Sequence, residues 1–363
     1  MTQPLHTLLE AVVAQGASDL HLSPGEMPWL RIEGEMERLP LQSGPLSGEQ
    51  IERLLEPVMA PEDVGRWKGG AARSVNFAYA APEIGRFRVN LASTLTGPAA
   101  VVRRIPHEVP RAEALGLPPA VCALAELPAG LVFVTGASGE GKSSTLAALL
   151  DRINRTRGGH ILTVEDPIEY VHAPNRCRIT QREVRIHTES FTHALRDALR
   201  QDPDVIVIGE VRTAAQLRLI LQAAETGHLV MGSLHTINAV NAISRMVGMV
   251  ETARQGQVRA QLAEALRGVV AQRLVPTVDG RRVAAFEVLV NSAATAANIE
   301  AGNTVEIRSA IESRRGGMQT LEQSLAELVR LGHVTATAAR EHANDVKALD
   351  RHLGAAPVGA AHY

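Results

Sequence analysis

Aromatic residues are scarce in this sequence, at 3% of the chain. Proteins that bind single-stranded nucleic acid stack bases on aromatic side chains, so this scarcity disfavours that class. The charge balance points the same way, because 37 Lys and Arg stand against 39 Asp and Glu and the formal net charge is −2. We therefore expect no nucleic-acid partner and no direct electrostatic attraction to an anionic membrane.

Cysteine is nearly absent, with only Cys122 and Cys177 in the chain. Two cysteines exclude a disulfide framework and a four-cysteine zinc site from one chain, and they fit a reducing cytosol, where we expect both to act as small apolar residues. No run approaches the ~20 apolar residues that span a bilayer, and the N-terminus lacks the pattern of a signal peptide. These absences predict a soluble, cytoplasmic protein whose membrane role, if any, comes through a partner.

The 363 residues exceed one ordinary core and predict about two domains. Residues 1–106 combine amphipathic helical faces with short alternating stretches, which predicts an α+β domain. Within it, the alternating segments 87–91 and 99–105 are predicted to be paired strands. The proline-rich segment 107–119 is the predicted linker.

A different pattern follows the linker. Continuous apolar runs, typical of strands buried on both faces, lie at 131–135, 161–164, 205–208, 229–234 and 283–290. Helical patterns separate several of them, and one such helix is predicted through Val258, Leu262, Leu266 and Val269. The alternation predicts an α/β core over 120–290, with a mainly parallel sheet and helices on both faces. An alanine-rich, helical C-terminal region is predicted over 291–363.

The strongest motif is a phosphate-binding loop with the sequence GASGEGKS at 136–143, between a predicted buried strand and a predicted helix. Its glycines let backbone amides turn toward phosphate oxygens, and the start of the helix favours an anion. Lys142 reaches the β and γ phosphates of ATP, and the Ser143 hydroxyl ligates Mg²⁺. The predicted binding residues are Gly136, Ala137, Ser138, Gly139, Glu140, Gly141, Lys142, Ser143 and Ser144. We expect the Glu140 side chain to point to solvent, and its charge could weaken nucleotide affinity.

Three acids follow the apolar run at 161–164: Glu165, Asp166 and Glu169. Pro167 ends the strand, which places the acids where α/β sheets bind ligands. Hydrolysis of ATP needs a group that orients and deprotonates water, and an acid of this cluster can supply it. Taken alone, the pattern fits an exposed acidic loop equally well.

The run at 205–208 leads into Gly209 and Glu210 and resembles a Walker B strand, whose terminal acid faces Mg²⁺. Glycine takes the place of the usual Asp. We expect Glu210 to hold the metal through its water shell, which leaves Glu169 as the candidate base.

His228 and His235 bracket the run at 229–234. A regular strand would place them on opposite faces, which argues against joint metal ligation. They are either satisfied structural residues or sensors of the γ phosphate. Arg88 and Arg103 lie on the paired strands of the first domain, where they are either surface charges or groups that stabilise transferring phosphates.

The series of motifs resembles the type II/IV secretion ATPase superfamily, and within it the retraction ATPases of type IV pili. Nearly the whole chain is covered by GASDLHL (16–22), GRFRVN, the phosphate loop, VEDPIEYV, ITQREV, ALRQDPDVIVIGEVR, AAETGHLV, SLHT, VVAQRLVP and GMQT, in family order. The resemblance implies a PAS-like N-terminal domain, a RecA-like P-loop ATPase domain and a homohexameric ring. Docking on an inner-membrane platform protein is also implied, with a paralogous pilus ATPase as a further possible partner.

The resemblance also implies roles for single residues. Lys142 and Ser143 match the family's Walker A motif, Glu169 its general base, and Glu210 its Walker B glutamate. The remaining predicted catalytic residues match the family's histidine box, His228 and His235, and its two phosphate-facing arginines, Arg88 and Arg103.

Some positions depart from the family pattern. The usual loop GPTGSGKST carries Ala137, Glu140 and Ser144 here, and Thr213 replaces an Asp. The retraction motif AIRNLI is reduced at 294–299 to ATAANI, which keeps only the two end residues. The leading hypothesis is an ATP-driven motor for pilus retraction and twitching motility. The alternatives are an accessory paralogue of that motor, a RecA-like nucleic-acid translocase and a non-catalytic assembly subunit. An extension or secretion ATPase fits less well, because the extra N-terminal domain and the cysteine motif are absent.

Overall fold

The computed structural model describes residues 3–32, 34–40, 44–105 and 108–354. Pro106 and His107, at the predicted linker boundary, and 355–363 of the predicted C-terminal region lie outside the described residues. Internal contacts divide the chain into an N-terminal unit, Met1–Glu108 with Pro167–Tyr170, and a C-terminal unit, Val109–Asp166 with Val171–Tyr363. The predicted domain boundaries stay predictions.

The N-terminal unit is built on a six-stranded sheet of order β3-β2-β1-β6-β5-β4, in which all neighbours run antiparallel. The predicted pairing of the strands at 87–91 and 99–105 is confirmed. Its elements are α1 (Gln3–Ala14), β1 (Asp19–Leu22), β2 (Trp29–Ile32), β3 (Glu35–Arg38), α2 (Gly48–Leu55), α3 (Pro61–Lys68), β4 (Ser74–Ala81), β5 (Gly85–Thr94) and β6 (Gly97–Ile105).

The core of this unit follows from two periodicities. Leu5, Leu9 and Val12 lie on one helical face of α1 and are buried. Alternate residues of β5, such as Phe87 and Val89, point toward the same core, and the residues between them face the other side of the sheet. That other face carries the arginines singled out in the sequence.

The C-terminal unit contains a seven-stranded sheet of order β13-β12-β7-β11-β10-β8-β9, parallel except for the β12–β13 pair. This confirms the mainly parallel sheet. Its elements are α4 (Pro119–Leu124), β7 (Gly130–Thr135), α5 (Lys142–Thr156), β8 (Gly159–Glu165), β9 (Cys177–Glu183), α6 (Phe191–Ala198), β10 (Val205–Ile208), α7 (Ala214–Glu225), β11 (Leu229–Leu234), α8 (Ala239–Gly248), α9 (Thr252–Ala265), β12 (Leu266–Pro276), β13 (Arg282–Val290), α10 (Ala293–Ala301), α11 (Thr304–Glu312), α12 (Leu321–Arg330), α13 (Ala336–His342) and α14 (Val346–Gly354).

Helices cover both faces of this sheet, as predicted. Helices α6 to α9 pack on one face, and α4 and α5 pack on the other. The central strands β7, β10 and β11 are buried along their whole length, which is why their sequences are continuous apolar runs. Helices α12 to α14 form a smaller core with β12 and β13.

The helix predicted through Leu266 and Val269 is wrong beyond Ala265. The backbone becomes extended at Leu266, and the following residues form β12 between β7 and β13. The spacing from Leu262 to Leu266 imitates a helix turn, but Val269 and Val270 are β-branched and fully buried. Strand β9 was also missed, because its exposed and half-buried polar residues conceal the pattern of a strand.

None of the helices in the described part of the chain combines the length and apolar composition needed to cross a bilayer. Neither cysteine is in a disulfide, and Cys177 is buried in the core of the C-terminal unit.

Candidate active site

The phosphate loop leaves the sheet directly after β7 and ends at α5. Gly136, Gly139 and Gly141 have positive φ values of 152°, 85° and 80°, which residues other than glycine disfavour. A Cβ atom at Gly139 would meet nothing within 4 Å, so the loop is open to solvent at this point. Because α5 begins at Lys142, the positive end of its dipole faces the loop. The local geometry is that of an anion-binding cradle.

Lys142 is folded onto this loop. Its side chain is buried, and Nζ donates to the carbonyl oxygens of Gly136 at 3.0 Å and Ala137 at 2.7 Å. The ammonium group is therefore held at the mouth of the cradle, where a phosphate oxygen can replace a carbonyl oxygen as its acceptor.

The expectation that Glu140 points to solvent is wrong. Its carboxylate Oε2 accepts the backbone N–H of Leu274, on β12, at 2.5 Å. Sequence reasoning could not find this bond because β12 itself had been missed.

The parallel strands bring other predicted residues to the same edge of the sheet. Strands β7, β8, β10 and β11 run in the same direction, so the phosphate loop, Glu210 and His235 all follow carboxyl ends of strands. The hydroxyl Oγ1 of Thr135 donates to the carbonyl oxygen of Thr236 at 2.6 Å and accepts its N–H at 2.9 Å. These bonds tie the residue after His235 to the residue before the loop.

Glu210 is fixed between neighbouring strands. Gly209 donates its N–H to the carbonyl oxygen of Val164, and Val211 donates its N–H to that of Ser233. The Glu210 carboxylate accepts from Arg212 Nη2 at 2.5 Å through Oε2, and its Oε1 lies 3.3 Å from His235 Nε2.

The charge of Glu210 reflects this environment. Burial disfavours the ionised form, but the hydrogen bond from Arg212 and the charges of His235 and Arg212 outweigh it. The pKa of Glu210 is therefore below its ordinary value, and the group is an anion at neutral pH. An ionised carboxylate is a favourable partner for a divalent cation and its bound waters.

His228 lies at the opposite edge of the sheet, because it precedes β11 and His235 follows it. Its Nδ1 lies 2.8 Å from the carbonyl oxygen of Ala223, at the end of α7. The structure therefore does not bring His228 together with the phosphate loop of its own unit.

The three acids at or after the end of β8 do not share one set of hydrogen-bond partners. Glu165 accepts from Thr163 at 2.6 Å and from Gln181 at 3.1 Å, and Asp166 accepts from Arg185 at 2.6 Å. Both acids are thus engaged within the C-terminal unit, whereas Glu169 belongs to the N-terminal unit.

In the N-terminal unit, Glu169 Oε1 lies 4.0 Å from Arg88 Nη1. Arg88 is directly opposite Arg103 in the β5–β6 pair, and Arg103 is directly opposite Asp19 in the β1–β6 pair. Three charged side chains therefore stand in one row on one face of the sheet.

Asp19 holds the guanidinium group of Arg103. Arg103 Nε donates to Asp19 Oδ1 at 2.7 Å, and Ser18 Oγ donates to Asp19 Oδ2 at 2.8 Å. Asp19 is 4% exposed, which is unusual for a carboxylate unless it is paired. Sequence reasoning used Asp19 only as part of a motif; its charge within an alternating strand was the signal that it has a partner.

Comparison with known proteins identifies the family. The profile of the type II/IV secretion system protein family matches residues 1–355. The chain belongs to this family. It is 42% identical to the type IV pilus retraction ATPase PilT of Pseudomonas aeruginosa over 337 residues. This alignment covers 93% of this chain and 97% of the relative.

Two further comparisons are informative. The type IV pilus ATPase PilU of Pseudomonas aeruginosa is 40% identical over 94% of this chain and 89% of its own length. A crystal structure of the pilus retraction motor PilT with bound ADP matches with a TM-score of 0.86 and 39% identity, over 95% of this chain and 98% of that one. The fold of this family member is thus mixed α/β with two sheets.

The few oxygen ligands at this sheet edge suit a Mg²⁺ ion that is also bound by the phosphates of a nucleotide. In the described part of the chain, no group of three or more His, Cys, Asp or Glu is arranged to hold a metal ion. Mg²⁺ commonly takes one or two protein ligands together with phosphate oxygens and waters. Ser143, in the first turn of α5, and Glu210, at the same edge, carry oxygen atoms that could hold such an ion.

Proposed function

We propose that this protein is an ATP-hydrolysing motor that drives retraction of a type IV pilus and twitching motility. The observation that carries the proposal is the shared sheet edge, where the bonds between Thr135 and Thr236 join the phosphate loop to the His235–Glu210 pair. The similarity to PilT over nearly the whole chain supports the type of motor.

The residues of the C-terminal unit bind and polarise the nucleotide. The cradle and Lys142 hold the phosphates, and Lys142 exchanges its bonds to loop carbonyls for bonds to phosphate oxygens. Ser143 and Glu210 are the residues that would hold Mg²⁺, which would supply positive charge against the charge that develops on the transferring phosphate. The RecA-like character of this unit and the PAS-like character of the N-terminal unit remain part of the proposal.

The remaining roles are proposed on chemical grounds. Glu169 orients and deprotonates the attacking water, and Arg88 and Arg103 stabilise phosphate charge in the assembled ring. His235 reports the state of the γ phosphate to Glu210, its neighbour. His228 stays a predicted sensor, without a supporting contact in its own unit.

We further propose a homohexamer that works in the cytoplasm at the inner face of the membrane. It docks there on a platform protein of the pilus, and a paralogous pilus ATPase is a second partner. In such a ring, an arginine far from the phosphate loop in sequence can act on a nucleotide bound to a neighbouring copy. Arg88 and Arg103 would then contribute to hydrolysis only in the assembled ring.

An accessory role beside a principal retraction motor is the second candidate. It is favoured by 294–299, where ATAANI replaces the retraction motif, and by the similarity to PilU. This segment lies in α10, where Thr295 and Ile299 are buried and Ala294 and Ala297 are exposed. Half-buried Ala296 and exposed Ala297 stand where the motif has arginine and asparagine, so α10 carries shorter side chains at these two positions.

A deletion strain complemented with wild type or Glu210→Ala tests the proposal. We expect the deletion and the Glu210→Ala strain to be hyperpiliated and unable to twitch, and the wild-type gene to restore both properties. Glu264→Ala, which removes an exposed acid from α9, is the matched control and should complement fully. Normal piliation and twitching in the deletion strain would reject a principal retraction role and leave the accessory one.

A further inference from the structure

Strand β12 is joined to the phosphate loop by two hydrogen bonds and to helix α5 by a third. The side-chain amide of Gln272 donates through Nε2 to the carbonyl oxygen of Glu140. Its Oε1 accepts from Thr145 Oγ1, in the first turns of α5, at 2.7 Å. The carboxylate of Glu140 accepts the N–H of Leu274 at 2.5 Å. The Gln272 amide thus bridges the loop and α5, and the Glu140 carboxylate ties the loop to β12.

The bond between Gln272 and Thr145 is buried. Gln272 is 5% exposed and Thr145 is 1% exposed, so neither can exchange its partner freely for water. A Cβ atom at Gly136 would lie 2.6 Å from the carbonyl oxygen of Gln272, so the first glycine of the loop rests directly on the main chain of β12. The loop conformation therefore depends on the position of this strand.

The Glu140 bond continues the hydrogen bonding of the sheet. Strands β12 and β7 pair as far as Ala271 and Thr135, after which the chain turns into the loop. Beyond that point a carboxylate oxygen, rather than a strand carbonyl, accepts the N–H of Leu274. A serine at position 140, as in the family pattern, is too short to reach Leu274. This arm of the contact consequently depends on the glutamate that this chain carries at position 140.

The same geometry explains how an acid is tolerated beside an anion site. The carboxylate of Glu140 accepts the backbone N–H of Leu274. In this position its charge is turned toward β12 and serves to fix the loop. If Glu140 affected the phosphates only through its charge, removing the charge would be enough to change nucleotide binding. If it fixes the loop, nucleotide binding depends on the hydrogen bond to Leu274 instead.

We propose that Glu140 and Gln272 are positioning residues that clamp the phosphate loop onto β12 and thereby raise its affinity for a nucleoside di- or triphosphate. The proposal rests on nucleotide binding by the loop, as in the proposed function. Glu140 acts through the N–H of Leu274, and Gln272 acts through Glu140 and Thr145.

Titration of the full-length protein with a fluorescent ADP distinguishes the clamp from a charge effect. Glu140→Ala and Glu140→Ser should weaken binding roughly tenfold, since the half-buried N–H of Leu274 loses its partner and the loop loses its tie to β12. Glu140→Gln should stay within about twofold of wild type, because its amide oxygen still accepts the N–H. Tighter binding by both Glu140→Ala and Glu140→Gln would overturn the proposal, since only charge removal is common to them.

The second arm is tested by a double-mutant cycle. Gln272→Ala should raise the KM for ATP with a smaller effect on kcat, and Glu140→Ala/Gln272→Ala should cost less than the product of the single effects. The exposed pair of Gln261 and Glu225, joined by a 2.8 Å hydrogen bond, provides the matched control cycle and should leave KM unchanged. Strictly multiplicative effects at 140 and 272 would contradict a common clamp.

Hydrogen exchange gives a readout that does not need a nucleotide. The Leu274 amide should exchange faster in Glu140→Ala than in wild type and at the wild-type rate in Glu140→Gln. Equal protection in all three proteins would overturn the clamp. If wild type binds no nucleotide, the proposed function fails, and with it the effect on affinity, whereas the exchange rates still decide whether the loop is clamped.

Discussion

Nε2 of His235 lies 3.3 Å from Oε1 of Glu210, and Arg212 holds the other oxygen of the same carboxylate. These two contacts place an ionised acid at the sheet edge that carries the phosphate loop. The charge state of Glu210 is thus set by neighbours that can be removed singly.

Arg212→Ala should move the acid limb of the kcat/KM profile to higher pH. Arg212 lowers the pKa of Glu210 against the opposing effect of burial, so its loss lets burial raise that pKa. The pH dependence of the ATPase rate measures the shift. Arg218→Ala, which removes an exposed arginine from α7, should keep the wild-type profile. An unshifted acid limb in Arg212→Ala would mean that Glu210 does not control it.

Thr135→Val should lower kcat while leaving nucleotide affinity nearly unchanged. Valine fills the same buried space but loses every hydrogen bond from Thr135 Oγ1 to Thr236, so His235 and Glu210 are held less firmly against the loop. We expect a fall in kcat of about tenfold, as misplacement of groups at a reacting centre commonly causes. Steady-state kinetics with a nucleotide titration measures both quantities. The buried Thr295, changed to Val, is the control; an equal loss there would point to general destabilisation.

Arg103→Gln should destabilise the protein, because it leaves the buried carboxylate of Asp19 without its cation. The arginine side chain is 64% exposed, so solvent screens the pair, and the loss in free energy of unfolding should be about 1 kcal/mol. Urea denaturation measures it. The pair of Arg281 and Asp279 is exposed, and Arg281→Gln should leave the midpoint unchanged. Equal midpoints for Arg103→Gln and Arg281→Gln would refute the structural role of Asp19.

Glu287 should make the stability depend on pH. It lines a cavity of about 220 Å³, and burial raises its pKa to about 7, with a further increase from Glu322. The bond from the Ala239 N–H and the charge of Arg308 oppose this increase. The folded state therefore keeps a proton that the unfolded chain loses above its ordinary pKa of 4.5. This contribution is full below that value and is lost as the pH rises toward 7, a loss of roughly 3 kcal/mol in free energy of unfolding.

Glu287→Gln should abolish that dependence, since glutamine keeps an acceptor for Ala239 and cannot ionise. Urea denaturation at pH 5 and pH 8 should show a gain in stability for the variant over wild type only at the higher pH. Glu264→Gln, at an exposed position, is the control. Parallel stability curves for wild type and Glu287→Gln would exclude the buried proton.

The sequence predicts those parts of the fold and site that are local in the chain. Strands such as 205–208 are continuous apolar runs because both of their faces are buried, and the loop at 136–143 is one contiguous motif. The parallel sheet then brings Glu210 and His235 to the loop without further information, because strands that run in one direction end at one edge.

Contacts that depend on register or on distant strands were out of reach. Glu140 and Leu274 are 134 residues apart, and their bond requires β12, which the helix-like spacing of Leu262 and Leu266 concealed. The ion pair between Asp19 and Arg103 depends on the register of β1 and β6. The amino-acid sequence of such short strands does not determine that register.

The ATPase rate of purified Lys142→Ala tests the central claim most directly. Lys142 is the buried cation of the phosphate loop, so its loss should abolish hydrolysis to background while the protein keeps its fold by circular dichroism. Lys347→Ala, which removes an exposed lysine from α14, should hydrolyse ATP at the wild-type rate. A Lys142→Ala protein as active as wild type would contradict the account.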